Sequence, residues 1–109
     1  MSIGTWSELL NYNIDSVNQN VQDKPGIYRL SYKGSDGKFY VFYVGKSDVS
    51  LKERLKDHLS SSEPNTCIKN KLKNECRYRF VYVTTQKERD QLEIDQIEEY
   101  EPKCNTQHN

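Results

Sequence analysis

The sequence predicts one α+β domain, a three-stranded sheet with helices packed around it in the order α-β-β-α-α-β-α. Three observations carry this reading. Two aromatic and β-branched runs, "IYRLSY" and "KFYVFYVG", flank "GSDG", a strong hairpin signal. "SLKERLKDHLSS" sets Leu51, Leu55 and Leu59 four residues apart behind Ser50, a good N-cap, which marks a helix. "RYRFVYVTT" alternates as a third strand does, and "KERDQLEIDQIEEYE" follows it as a helix that stops ahead of Pro102.

The remaining elements follow from local signals. "TWSELL" offers Thr5 as an N-cap with Glu8 at the capping-box position, which predicts a short opening helix. "NYNIDSVNQNVQDK" is polar and Asn-rich and reads as a loop or poorly formed lead-in, punctuated by Pro25-Gly26. "SSSEPN" reads as a loop, and "TCIKNKLKN" as a second short helix with Ile68 and Leu72 inward. There is no repeat and no low-complexity tract.

A chain of 109 residues has room for one domain. Hydrophobic residues make up 34% and the mean hydropathy is −0.97, so the core is small and some of the eight tyrosines must serve in it. No apolar run is long enough to span a bilayer, and "MSIGTWSELL" lacks the charged and apolar regions of a secretion signal. These features predict a soluble, cytoplasmic or nucleoid-associated protein that is not secreted and has no membrane partner. Cys67, Cys76 and Cys104 are an odd number without a C-x-x-C, which argues against a disulfide framework and for a reducing compartment. Cys104 and His108, four apart, could share a zinc with the other thiols, but the Cys67–Cys76 gap is wrong for a zinc knuckle.

The formal net charge is zero, which argues weakly against a nucleic-acid binder, whereas the distribution of charge argues the other way. Lys69, Lys71, Lys73, Arg77 and Arg79 face one acid, Glu75; further on, seven acids from Glu88 to Glu101 stand against Arg89 alone. On charge alone, two solvated faces remain the simpler reading.

The polar residues of interest could converge near the sheet. An even-length turn sets Tyr28 opposite Tyr43 or Gly45, so the two phenols project from one face; a cross-strand packing pair is the plain alternative. Arg54 and His58 lie one helical turn apart at the border of the leucine stripe, where snorkelling side chains are also at home. Glu93, Ile97 and Tyr100 fall on one helical line, which sets a carboxylate beside inward-facing residues. Such an acid is costly unless paired, for instance with Arg54, or metal-bound. Two phenols, an arginine, a histidine and one glutamate suit phosphodiester hydrolysis. Mg²⁺ (or Mn²⁺) takes one carboxylate together with waters and substrate phosphate, and an arginine fork stabilises charge on phosphate oxygens. A phenol is a poor base at neutral pH: activating it costs about 4 kcal/mol, three pKa units, unless His58 or the metal relieves it.

"PGIYRL" followed by "FYVGKS" resembles the paired motifs of the GIY-YIG nucleases, here Gly26-Ile27-Tyr28 and Tyr43-Val44-Gly45, with Val44 a conservative departure. "LKERLKDHL" is similar to the family's helix with its Arg and His, and "LEIDQIEEYEPKCN" to its Glu helix ending in Pro-x-x-Asn. The resemblance divides the chain into an N-terminal helix and lead-in (1–24), a nuclease-like domain (25–105) and a tail (106–109). It implies a small antiparallel sheet flanked by helices, and a metal-dependent endonuclease acting on DNA through one active site per chain. Tyr28 would be the general base or position the attacking water, and Tyr43 would support the water and metal shell. Arg54 would bind and polarise the scissile phosphate, and His58, which is Tyr or Lys in some members, would orient or deprotonate Tyr28. Glu93 would be the one protein ligand of Mg²⁺ or Mn²⁺. Asn105 would hold the end of the sheet and helix near the site, Lys46 would contact phosphate, and Gly45 would admit substrate or metal close to the backbone. One carboxylate argues against a two-metal mechanism, so double-strand cleavage would need a homodimer or two visits. No groove-filling element for base readout is evident, which implies structure-dependent or loose specificity, or a targeting partner protein. The competing readings are a non-catalytic nucleic-acid-binding module of the same fold and an interaction module using the acidic last helix.

Overall fold

The computed structural model describes residues 3–105. In chain order the elements are strand β1 (Leu10–Asn11), helix α1 (Ile14–Asn20), strands β2 (Gly26–Lys33) and β3 (Phe39–Ser47), helices α2 (Leu51–His58) and α3 (Thr66–Lys71), strand β4 (Cys76–Tyr82) and helix α4 (Gln86–Tyr100), followed by a 3₁₀ turn, Lys103–Asn105. The strands form one antiparallel sheet in the spatial order β1-β4-β2-β3.

The β2–β3 hairpin, α2, α3, β4 and α4 stand where the sequence predicts them. Ser50 caps α2, its hydroxyl accepting from the Glu53 amide at 3.1 Å, and Leu51 and Leu55 are fully buried. Helix α4 ends on Glu101, whose left-handed backbone (φ 45°) closes a hydrogen bond from its amide to the Ile97 carbonyl just before Pro102. Helices cover both faces of the sheet. Tyr28, Leu30, Phe42, Tyr78 and Phe80 pack on one face with Val17 of α1, Leu51 and Leu55 of α2 and Ile68 of α3. Ile27, Val44, Val81 and Val83 pack on the other face against Leu92 and Ile97 of α4.

Four expectations are corrected. The sheet has four strands, not three, and "TWSELL" is extended rather than helical. The outer edge of β4 takes up that segment's backbone: the Gly4 and Ser7 amides donate to Tyr82 and Phe80 carbonyls at 2.9 and 2.8 Å, and the Ser7 hydroxyl accepts from the Phe80 amide. An unpaired sheet edge outcompetes one capping box. Conversely, the Asn-rich lead-in contains α1, capped by Asn13, whose side chain accepts from the Ser16 amide at 2.7 Å. Val17 and Val21, four apart, give this helix its buried stripe. The order is therefore β-α-β-β-α-α-β-α.

The fourth correction concerns the cysteines. Cys67 of α3 and Cys104 of the terminal turn form a disulfide, with Cα atoms 5.3 Å apart, while Cys76 is free and buried. Packing of the turn against α3 brings together thiols 37 residues apart, which sequence spacing does not reveal. The two bonded sulfurs are no longer thiolates for a zinc, and His108 lies outside the described residues, as does the expected tail over 106–109. Among the described residues no helix is long and apolar enough to cross a membrane.

Candidate active site

The site forms where the ends of β2 and β3 meet α2. Tyr28 stands opposite Gly45 in the strand register, and Leu30 stands opposite Tyr43. The hairpin's register shift lies between Leu30 and Ser31, on the far side of these pairs, so Tyr28 and Tyr43 share a face with ring centroids 6.2 Å apart. A β-carbon on Gly45 would lie 2.3 Å from Tyr28 Oη and 2.4 Å from its Cζ. The close approach expected there for substrate or metal is made in this structure by the Tyr28 ring.

Helix α2 supplies two more groups from successive turns. His58 is 1% exposed, and its Nε2 lies 2.6 Å from Tyr28 Oη. Its ring also meets the Tyr43 ring edge-on, 5.3 Å between centroids. Burial, reinforced by Tyr43, pushes the Tyr28 phenol well above its usual range, while the positive charge of Arg54 pulls it down. Burial likewise raises the Tyr43 phenol, again against the pull of Arg54. For His58, burial lowers the pKa, Glu63 opposes this and Arg54 adds to it, so the imidazole is neutral at neutral pH.

Glu93 lies on α4, which packs on the other face of the sheet. It is half-buried; burial raises its carboxyl pKa, Lys46 lowers it, and the nearby Asp90 and Asp48 raise it further. Its charge also acts on Tyr43, which links it to the phenol pair. Lys46, expected on a phosphate, forms an ion pair with Asp90, one turn from Glu93. Among the described residues Glu93 makes no ion pair with Arg54. No cluster of three or more His, Cys, Asp or Glu suited to hold a metal occurs there either.

Asn105 is placed by the terminal turn. Its amide oxygen accepts from the Val44 amide and its amide nitrogen donates to the Val44 carbonyl, both at 2.8 Å. The residue expected to hold the end of the sheet and helix near the site therefore holds the backbone between Tyr43 and Gly45.

A family model for the UvrC-like GIY-YIG domain matches residues 24–106. The chain belongs to this GIY-YIG family. It is 33% identical over 95 residues to the UvrABC system protein C of Aquifex aeolicus, covering 87% of this chain and 16% of that protein. Against the Clostridioides difficile protein of the same name it is 32% identical over 97 residues, covering 86% and 15%. The chain thus spans about a sixth of the length of these relatives. Its fold matches the GIY-YIG N-terminal endonuclease domain of UvrC from Thermotoga maritima, solved as point mutants bound to a catalytic divalent cation. TM-scores are 0.65 and 0.63 at 23% and 22% identity, covering 84% of this chain and 92% of that domain.

In this GIY-YIG domain Tyr28, Tyr43, Arg54 and His58 come together on one side of the hairpin end, and Glu93 and Lys46 approach from the α4 side. Two residues escaped sequence reasoning. Glu63, in the "SSSEPN" loop, is 6% exposed and lies with Oε2 3.0 Å from His58 Nδ1. A loop acid has no periodicity to announce it, and only the chain's return towards α2 makes this contact. Arg89 had been just the lone base of an acidic helix; it is buried, bonds Asp48 at 3.0 Å and donates to the Val83 and Thr84 carbonyls. It anchors the start of α4, and with it Glu93, to the loop after β3.

Proposed function

We propose that this GIY-YIG domain is a divalent-metal-dependent endonuclease that hydrolyses DNA phosphodiester bonds, one active site per chain. The observation that carries the proposal is the buried 2.6 Å contact between Tyr28 Oη and His58 Nε2, with Arg54 acting on both phenols. A neutral imidazole at that distance is placed to accept the phenol proton, and the adjacent guanidinium lowers the cost that burial sets on the phenolate. Tyr28 then takes a proton from the attacking water, and Tyr43, less deeply buried, helps position that water. Tyr28 is fully buried; the contacts of a catalytic base commonly form only in the substrate complex. Arg54 bears on the phosphate and on the charge developing there.

The residues present fit a hard cation. Glu93 is one half-buried carboxylate whose ionised form is disfavoured by burial, and a cation beside it would reverse that cost. Glu93 would hold Mg²⁺ or Mn²⁺, leaving most of the coordination shell to water and substrate. When bound, the ion supplies Lewis-acid polarisation of the phosphate. Lys46, on Asp90, offsets the negative charge gathered around Glu93. Among the described residues no element is shaped to fill a groove, which favours specificity for DNA structure rather than sequence, or a targeting partner.

Supercoiled plasmid incubated with the purified protein in Mg²⁺, Mn²⁺ or EDTA, beside Glu93→Ala, tests the reading. Metal-dependent nicking that Glu93→Ala lacks, with DNA binding retained, is the expected result. Absence of cleavage on plasmid, branched and single-stranded DNA would leave a nucleic-acid-binding module instead.

A further inference from the structure

The Tyr28–His58 pair does not end at the imidazole. His58 Nδ1 faces Glu63 Oε2 at 3.0 Å, and all three side chains are buried, with Glu63 only 6% exposed. Glu63 is held from its other side as well: Oε1 accepts from the Asn65 amide at 3.3 Å, and the Asn65 side chain caps α3 by accepting from the Ile68 amide at 3.1 Å. The carboxylate is thus tied to the first turn of α3.

The carboxylate decides where the protons sit. An ionised carboxylate only accepts hydrogen bonds, so with Glu63 in that form the contact at 3.0 Å carries its proton on Nδ1. A neutral imidazole with Nδ1–H has its lone pair on Nε2, and the 2.6 Å contact is then the phenol donating to the ring. We propose that Glu63 is a positioning residue for the nuclease reaction: it selects the His58 tautomer that accepts the Tyr28 proton and stabilises the imidazolium that forms. The proposal rests on the endonuclease reading above. In the step itself the Tyr28 O–H bond breaks and a His58 Nε2–H bond forms, giving phenolate and imidazolium with no electron transferred. The phenolate recovers a proton from the attacking water as the new P–O bond forms and the old one breaks. The extra proton on His58 returns through solvent to the departing oxygen.

Other groups also bear on His58. Arg54 and Asp57 act on it from its own helix, Tyr28 and Tyr43 face it from β2 and β3, and Glu63 reaches it from the loop. Arg54 disfavours the imidazolium; Glu63 and Asp57 favour it, and of these Glu63 has the larger effect and is the one in contact.

The experiment has two arms. In the first, ¹⁵N spectra of the wild-type protein report the His58 tautomer. The Nδ1–H form is expected, giving way in part to Nε2–H in Glu63→Ala, and an Nε2–H ring in the wild type would overturn the proposal whether or not the protein cleaves DNA. In the second, kcat and KM are measured against pH for wild type and the near-isosteric Glu63→Gln, after both show the same melting profile. Loss of the charge should lower kcat about tenfold or more with KM little changed, the scale seen when a metal-bound imidazole loses its outer carboxylate. The acid limb should also move to lower pH, because His58 becomes harder to protonate. An unchanged kcat and acid limb in Glu63→Gln would assign Glu63 a purely structural part. If no DNA is cleaved by wild type while its ring is Nδ1–H, the endonuclease reading fails and the tautomer assignment stands.

Discussion

Tyr28 and Gly45 form one unit. The phenol reaches His58 only because position 45 has no side chain, since a β-carbon there would sit inside the ring's van der Waals envelope. Tyr28 is fully buried in a close-packed interior. Gly45→Ala should therefore destabilise the fold by about 1–3 kcal/mol, the cost of overpacking a tight core, and break the Tyr28–His58 contact. Urea denaturation and the His58 imidazole resonances would report both, and a wild-type midpoint would show that the ring can yield. The pairing of Gly26-Ile27-Tyr28 with Tyr43-Val44-Gly45 was legible from alternation and turn length. What the glycine makes room for was not, because that depends on a ring crossing from the neighbouring strand. Glu63 was equally hidden, since its meaning comes from the fold of a loop.

Among the elements, those with a strong period were legible and those decided by competition were not. The leucine stripe of α2 and the alternation of β4 survive in the fold because burial rewards them directly. The segment at 5–10 carried a helix start signal and lost it to the edge of β4, while α1 hid its two buried valines among asparagines. The terminal turn shows how a short element positions the site. Asn105 satisfies both polar groups of Val44 with bonds of 2.8 Å. Asn105→Ala should cost about 1–3 kcal/mol, the penalty for leaving such groups without partners, with faster amide exchange at Val44. Chemical denaturation together with hydrogen exchange would check this, and unchanged exchange at Val44 would remove the turn from any role in holding β3.

At the scale of the whole molecule, the Cys67–Cys104 bond joins α3 to the terminal turn across 37 residues. Closing a loop of that length is worth about 4 kcal/mol through the unfolded chain. Reduction should lower the unfolding free energy by about that amount, measured by urea titration with and without a thiol reductant; Cys67→Ser should behave like the reduced protein in both conditions. Equal midpoints would mean that packing alone holds the turn. This cross-link is the largest feature of the fold that the sequence did not disclose, because it joins residues that become neighbours only after the sheet and α3 are assembled. The strand order adds a further consequence. Strand β3 is the outermost strand, and Val44 would otherwise offer its amide and carbonyl to any extended segment that came alongside. Asn105 occupies that place as a one-residue surrogate for a fifth strand. A second copy cannot zip onto β3 through Val44 without first evicting it, so the protein is guarded against sheet-to-sheet self-association next to Gly45, where the Tyr28 ring crosses.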